Sequence, residues 1–331
     1  MNGNKPFLLR PATKDYLWGG SRLKDDFWKK TDCSPLAETW ECSTHPDGQS
    51  VVASGPDGGK TLGEVLRRHP EYLGTHPIQT MGGRPELPIL IKMIDAREDL
   101  SVQVHPDDEY ALARENSLGK TEMWYVLSAQ KGASLVCGFN QDVTAPRLRN
   151  ALEKGAIEKY LNRVPVQKDD LFYIEAGTVH ALGAGTIVAE IQESSNLTYR
   201  LYDYNRVDKK GNKRELHVDK ALDVINLSYS ANPRQPMRVL RYKRGCAGEL
   251  LMRCKYFQVE RLLVNAEDYR ILPEIQTGSN SFHVLLCTEG RGSLFNEAFR
   301  LDFCKGRCVF VPADSISVKL SGKAHLLDVS C

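Results

Sequence analysis

The sequence predicts a mainly β protein. A strand-rich first part, residues 1–232, carries a helical insertion at about 144–164, and a smaller β-rich sandwich lobe occupies 233–331. Three observations predict this. Short apolar or alternating runs recur between 88 and 204. One stretch, Pro146 to Val164, repeats its apolar residues at helical spacing through Leu148, Leu152, Ile157 and Leu161, interrupted near Gly155. After Pro236 the chain is almost entirely strand and turn, and Ser230 to Pro236 reads as the linker before it.

Each element has its own local reason. The first 60 residues, rich in Gly, Pro, Asp and Trp, read as irregular structure with short strands. Thr61 and Glu64 are spaced as a capping box and Pro70 sets an end to the helix they start, which predicts a helix near 61–69. Pro88 to Asp95 is a short apolar run, as expected of a strand buried on both faces. Leu100, Val102 and Val104 alternate with Ser101, Gln103 and His105, so the two sets fall on opposite faces. Pro106 to Asn116 reads as a turn and a short helix, with Asp107 and Asp108 as N-cap and first-turn carboxylate. Thr121 to Ala129 is β-branched and aromatic, hence a strand, and Lys131 to Asn140 is expected to pair with it. Leu171 to Ile174, Thr186 to Glu193 and Thr198 to Tyr204 are the next strands, and Glu215 to Leu227 a third helix.

Composition narrows the function. Of 331 residues, 41% are hydrophobic, which supports a packed core and excludes disorder as the main state. Lys and Arg number 44 against 42 Asp and Glu, a net charge of +2 that argues against a nucleic-acid binder. No apolar run reaches membrane-spanning length, and Met1 to Tyr16 has no signal-peptide pattern. Nine cysteines without a Cys-x-x-Cys pair read as reduced thiols, so a cytoplasmic location is expected.

The chemistry gathers in a few residues. Gln103 and His105 share a strand face. Glu122 shares one with Trp124 and Val126, where a carboxylate needs a partner. His180 comes just after a Gly turn at a strand start. Two His, one Glu and a nearby amide oxygen suit a divalent ion, zinc first. Each residue alone reads more readily as a hydrogen-bonded structural side chain, and it is the joint pattern that favours a metal. Lys92 lies inside an apolar strand and Lys120 two residues before Glu122, so either could reach a substrate oxygen or phosphate. Glu190 and Gln192 share a face that could line the same cavity. Gly183 to Gly185 lacks the third Gly of a dinucleotide loop and reads as a turn.

Taken together, Gly83 to Lys92, Ser101 to Asp108, Gly119 to Tyr125, Ala176 to Gly183 and Tyr199 to Arg206 strongly resemble the short bacterial form of the zinc-dependent mannose-6-phosphate isomerases. Leu17 to Gly20 and Glu38 to Glu41 also resemble that family, and the resemblance spans about 5–325. It implies a cupin-type β-sandwich, a jelly-roll relative. It implies one zinc ion per chain on His105, Glu122 and His180, with Gln103 a less certain ligand, and an active-site Arg200. Lys92, Lys120 and Arg200 become candidate substrate-binding residues, and Arg200, Lys120 and Glu190 candidate catalytic ones. Glu175 stands where the family pattern has Pro.

The implied reaction interconverts mannose 6-phosphate and fructose 6-phosphate by proton transfer between C1 and C2. Its base is left open between Glu190 and a hydroxide held by the metal. The expected partner is a small sugar phosphate, with no nucleic acid and no membrane, in a monomer or a homodimer. The alternatives are a non-catalytic sugar-phosphate sensor and another cupin metalloenzyme. In the C-terminal lobe Gly306 to Asp314 echoes Asp170 to His180 without its His, and His283 and His325 show no matching carboxylate, so no metal site is expected there.

Overall fold

Three antiparallel sheets make up the chain. The computed structural model describes residues 4–207, 210–231, 233–235, 238–267 and 272–331. A six-stranded sheet runs in the order Leu171–Ile174, Glu122–Ala129, Thr186–Glu193, Ile89–Ala96, Glu38–Cys42 and Ala12–Lys14. A five-stranded sheet runs Tyr199–Tyr202, Val102–Val104, His180–Leu182, Ser134–Phe139 and Leu161–Pro165. The ten-stranded third sheet is mostly C-terminal.

Strand Ile89–Ala96 is buried along its whole length because both its faces are covered. Ile89, Ile91 and Met93 join Met123, Tyr125, Ile187 and Ala189 in one core, which also holds Phe257, Phe282, Val284 and Phe310 of the C-terminal sheet. Ile94, Trp124, Val126 and Val188 point the other way, onto Leu135, Cys137 and Leu182 of the five-stranded sheet. The six-stranded sheet is thus the middle layer, and period-2 alternation sends Lys92, Glu122 and Glu190 to its inner face. On the far side of the five-stranded sheet, Val102, Val104 and Phe139 pack against Leu148 and Ala151 of helix Ala145–Glu153 and Ala221 of helix Val218–Val224.

The capping box forms as its spacing requires. Thr61 caps helix Leu62–Arg68, accepting from Glu64 N–H while Glu64 accepts from Thr61 N–H. Asp107 caps helix Asp108–Glu115.

Several expectations are corrected. Ser134–Phe139 pairs with His180–Leu182 and Leu161–Pro165, not with Glu122–Ala129. The turn through Gly132, at φ 84°, carries the chain across to the opposite sheet. The helix expected over 146–164 ends at Glu153. Gly155 at φ 61° breaks it, and the alternating Leu161–Pro165 is a strand. The third helix covers only Val218–Val224. Leu100 faces the inner core rather than joining Val102 and Val104, because the strand that enforces alternation starts at Val102.

Strands Phe7–Arg10 and Val51–Val52 belong to the C-terminal sheet, Phe7–Arg10 pairing with Cys308–Val311. The expected boundary at 232/233 and its linker lie partly outside the described residues. His283 Nδ1 is 2.7 Å from Asp328 Oδ1, and His325 Nδ1 is 3.1 Å from Glu289 Oε2, so both do have carboxylate partners. Among the described residues no helix is long and apolar enough to cross a membrane.

Candidate metal centre and active site

Between the six- and five-stranded sheets lies a cavity of about 450 Å³. Its wall includes Lys92, Gln103, Lys120, Glu190 and Arg200. Beneath its floor sit His105, Glu122 and His180, all buried, whose ligating atoms lie within 4.8 Å of one another. Three separate strand contexts bring them together. Glu122 opens Glu122–Ala129, His105 directly succeeds Val102–Val104, and His180 opens His180–Leu182 directly opposite Gln103.

Hydrogen bonding fixes which atoms face inward. His180 Nδ1 lies 2.8 Å from the Thr178 carbonyl, so it carries the proton and donates, leaving Nε2 as the acceptor. His105 Nε2 lies 3.1 Å from Lys120 Nζ, which can only donate, so that Nε2 is also an acceptor. Burial holds His105 well below its ordinary pKa and brings His180 down to about 4, so both rings are neutral at neutral pH. Glu122 Oε1 sits 3.5 Å from His180 Nε2 and accepts no hydrogen bond, while Oε2, 3.6 Å from His105 Nε2, is paired with Lys120 Nζ at 3.0 Å. A buried carboxylate left this way beside two imidazole lone pairs is a donor set that fits a divalent cation. Gln103 presents its amide nitrogen rather than the expected oxygen, Nε2 lying 3.3 Å from His180 Nε2 and donating to it.

The cavity wall is strongly charged. Lys92 Nζ pairs with Glu190 Oε1 at 3.0 Å, and the two residues stand directly opposite in register. Glu190 also accepts from Trp124 Nε1 at 2.9 Å. Burial opposes its ionisation, but Lys92 and Lys120 outweigh that and draw it down to about 2. Glu122 is pushed up to about 7 by burial and by the charge of Glu190, against the pull of Lys120 3.0 Å away. Arg200 projects from Tyr199–Tyr202, whose Tyr199 and Leu201 are buried. It donates through Nε to Ser101 Oγ and through Nη1 to the Glu215 carbonyl. Gln192 turns away, its amide donating to the carbonyls of Glu193 and Ser195.

Sequence reasoning passed over several wall residues: Tyr16, Glu38, Ser101, Asn196, Arg214 and His217. Glu38 had a legible signal, since it shares a strand face with Trp40 and receives the Trp40 Nε1 hydrogen bond at 2.7 Å. Arg214 and His217 come from the irregular segment before helix Val218–Val224, where no periodicity marks orientation.

Comparison with known proteins agrees with this geometry. Residues 7–140 match the family described as "Phosphomannose isomerase type I, catalytic domain". The chain is 42% identical to the probable mannose-6-phosphate isomerase GmuF of Bacillus subtilis, over 97% of this chain and 98% of that one. It is 36% identical to mannose-6-phosphate isomerase ManA of the same organism, over 98% of each chain. The crystal structure of the mannose 6-phosphate isomerase from Bacillus subtilis superposes with a TM-score of 0.88 at 33% identity, covering 99% of each chain. With full-length likeness in sequence and in fold, and a buried His-Glu-His cluster beneath a cationic cavity, this chain belongs to the mannose-6-phosphate isomerase family, on a cupin-type β-sandwich.

Proposed function

We propose that the inner cavity interconverts mannose 6-phosphate and fructose 6-phosphate, with His105, Glu122 and His180 holding one zinc ion per chain and Gln103 supplementing them. The observation that carries this reading is the convergence of two neutral imidazole nitrogens on a buried carboxylate, the ligating atoms of all three lying within 4.8 Å of one another. Zinc suits that borderline N/O donor set and, when bound, supplies Lewis acidity toward the sugar oxygens.

The net reaction moves the C2 proton to C1 and the O2 hydroxyl proton to O1, with the carbonyl passing from C1 to C2. A base must accept the carbon-bound proton and return it to the neighbouring carbon. Glu190 is ionised, faces the cavity and is held by Lys92 and Trp124, so we assign it this role. Lys120 and Arg200 are cations whose charge stabilises negative charge developing on oxygen. Arg200 is braced by Ser101 and the Glu215 carbonyl through two of its nitrogens, which leaves Nη2 for the substrate. Lys92, Arg200 and Arg214 on the wall favour a dianionic phosphate at this site.

The test measures metal content and mannose 6-phosphate turnover on one sample, before and after chelation. About one zinc per chain, with activity lost on chelation and restored by zinc, supports the reading. Metal-free protein that still isomerises overturns it.

A further inference from the structure

A second cavity, of about 460 Å³, opens between strand Phe7–Arg10 and the segment that succeeds helix Arg22–Asp25. Its lining includes Arg10, Lys29, Lys30 and Arg307 and contains no carboxylate. Only Lys29 is neutralised. It is buried against Glu41 Oε1 at 2.5 Å and the Gly306 carbonyl. The side chains of Arg10, Lys30 and Arg307 are exposed and make no ion pair or hydrogen bond among the described residues. In a chain of net charge +2, such a one-sided lining is a local anion trap.

A second observation comes from the backbone. Trp28, on the same wall, has φ 53° and is 59% exposed. A bulky residue in left-handed conformation is an outlier, and the exposed Trp28 indole forms part of the cavity lining. The other three tryptophans are buried. Phe27 beneath it is covered by Lys305, whose Nζ lies 4.3 Å from the ring centroid, so this wall is fixed and carries further positive charge.

An exposed aromatic face beside three unpaired cations fits a ligand with a flat ring and several negative charges. We propose that this cavity binds a nucleoside diphosphate, its base stacked on Trp28 and its phosphates held by Arg10, Lys30 and Arg307. The volume lies within the ordinary range of small-molecule sites, roughly 300–1,000 Å³. None of these residues touches the isomerase cavity, so the site is independent of the isomerase function.

The test titrates ADP, GDP and UDP separately into the purified, zinc-loaded protein by calorimetry, with tryptophan fluorescence monitored in parallel. Saturable binding of at least one nucleotide is expected, undisturbed by saturating mannose 6-phosphate and accompanied by a change in Trp28 emission. Arg307→Ala and Lys30→Ala should each weaken it about tenfold or more. Trp28→Ala should weaken it similarly and remove the fluorescence change. All three variants should keep wild-type isomerase turnover, which also reports their folding. Absence of binding by all three nucleotides up to about 1 mM, the weak end of specific recognition, overturns the proposal. Displacement by mannose 6-phosphate, or binding indifferent to the Arg307 and Trp28 variants, overturns it as well.

Discussion

The Nε2 atoms of His105 and His180 stand 3.1 Å apart, and both present lone pairs. Two acceptors at that separation repel each other, and Glu122 adds a third source of negative charge. The arrangement is stable only with positive charge among the three groups. Lys120 supplies part of it.

Removing one imidazole should therefore remove the metal. His180→Ala is expected to lose bound zinc and activity together, and to lose the rise in melting temperature expected of the wild type on addition of zinc. Elemental analysis and a thermal melt with and without zinc check this. Full zinc content in His180→Ala would mean that the ligand set is wrong.

Arg200 is half-buried at the cavity wall and contributes nothing to the apolar core. Arg200→Ala should leave a folded, zinc-loaded protein whose kcat falls by about 100-fold or more while KM changes less. A loss of melting temperature with near-normal turnover would instead make Arg200 a structural brace for the Glu215 segment.

Glu190→Gln keeps the shape of the side chain and removes its charge and basicity. A fall in kcat of about 100-fold to 10,000-fold, with zinc retained, is expected of a general base. Turnover within a few-fold of wild type would move the proton transfer to another group.

A buried carboxyl outside the catalytic cavity should shape the pH dependence of stability. Glu193 accepts from Thr121 N–H at 2.7 Å and lies beside Asp108. Burial, reinforced by the Asp108 charge, pushes it up to about 8. Between the ordinary carboxyl range and that value the folded protein holds a proton that the unfolded chain has released. Its contribution is therefore full below about 4.5 and declines as pH rises to about 8, by an amount on the order of a few kcal/mol. Glu193→Gln, which mimics the protonated acid, should flatten this decline. Denaturant unfolding at pH 5 and pH 8 checks it, and equal slopes in both proteins would refute it.

The Thr61 cap offers a smaller effect. It anchors a seven-residue helix that carries Leu62, Val65 and Leu66 into the largest core. Thr61→Ala should destabilise the fold by about 1 kcal/mol without affecting turnover, as measured by denaturant unfolding.

Legibility in the sequence depended on how local each cause was. Strand Ile89–Ala96 was readable because burial on both faces leaves an unbroken apolar run, and Glu122 because Trp124 and Val126 mark its face. The capping box was readable because both partners lie within four residues. Strand pairing was not. The displacement of Ser134–Phe139 into the opposite sheet depends on a turn whose direction is set by distant packing. The same holds for Arg214 and His217, which reach the cavity from a segment without period. The motifs that resemble the family named the ligand candidates, but the lone-pair directions that make them a donor set came only from the Thr178 carbonyl and Lys120.

The pairing of Phe7 with Phe310 has a consequence for how the protein is made. On the ribosome, strand Phe7–Arg10 is synthesised long before Cys308–Val311 and must wait for it before that edge is covered. Until then that edge, opposite the one paired with Val51–Val52, is open to wrong partners on neighbouring nascent chains. Completion of the C-terminal sheet thus joins segments far apart in sequence and waits for the later one. A cut between 233 and 240 would leave each fragment short of a strand held by the other, so the two halves should be recoverable only when expressed together.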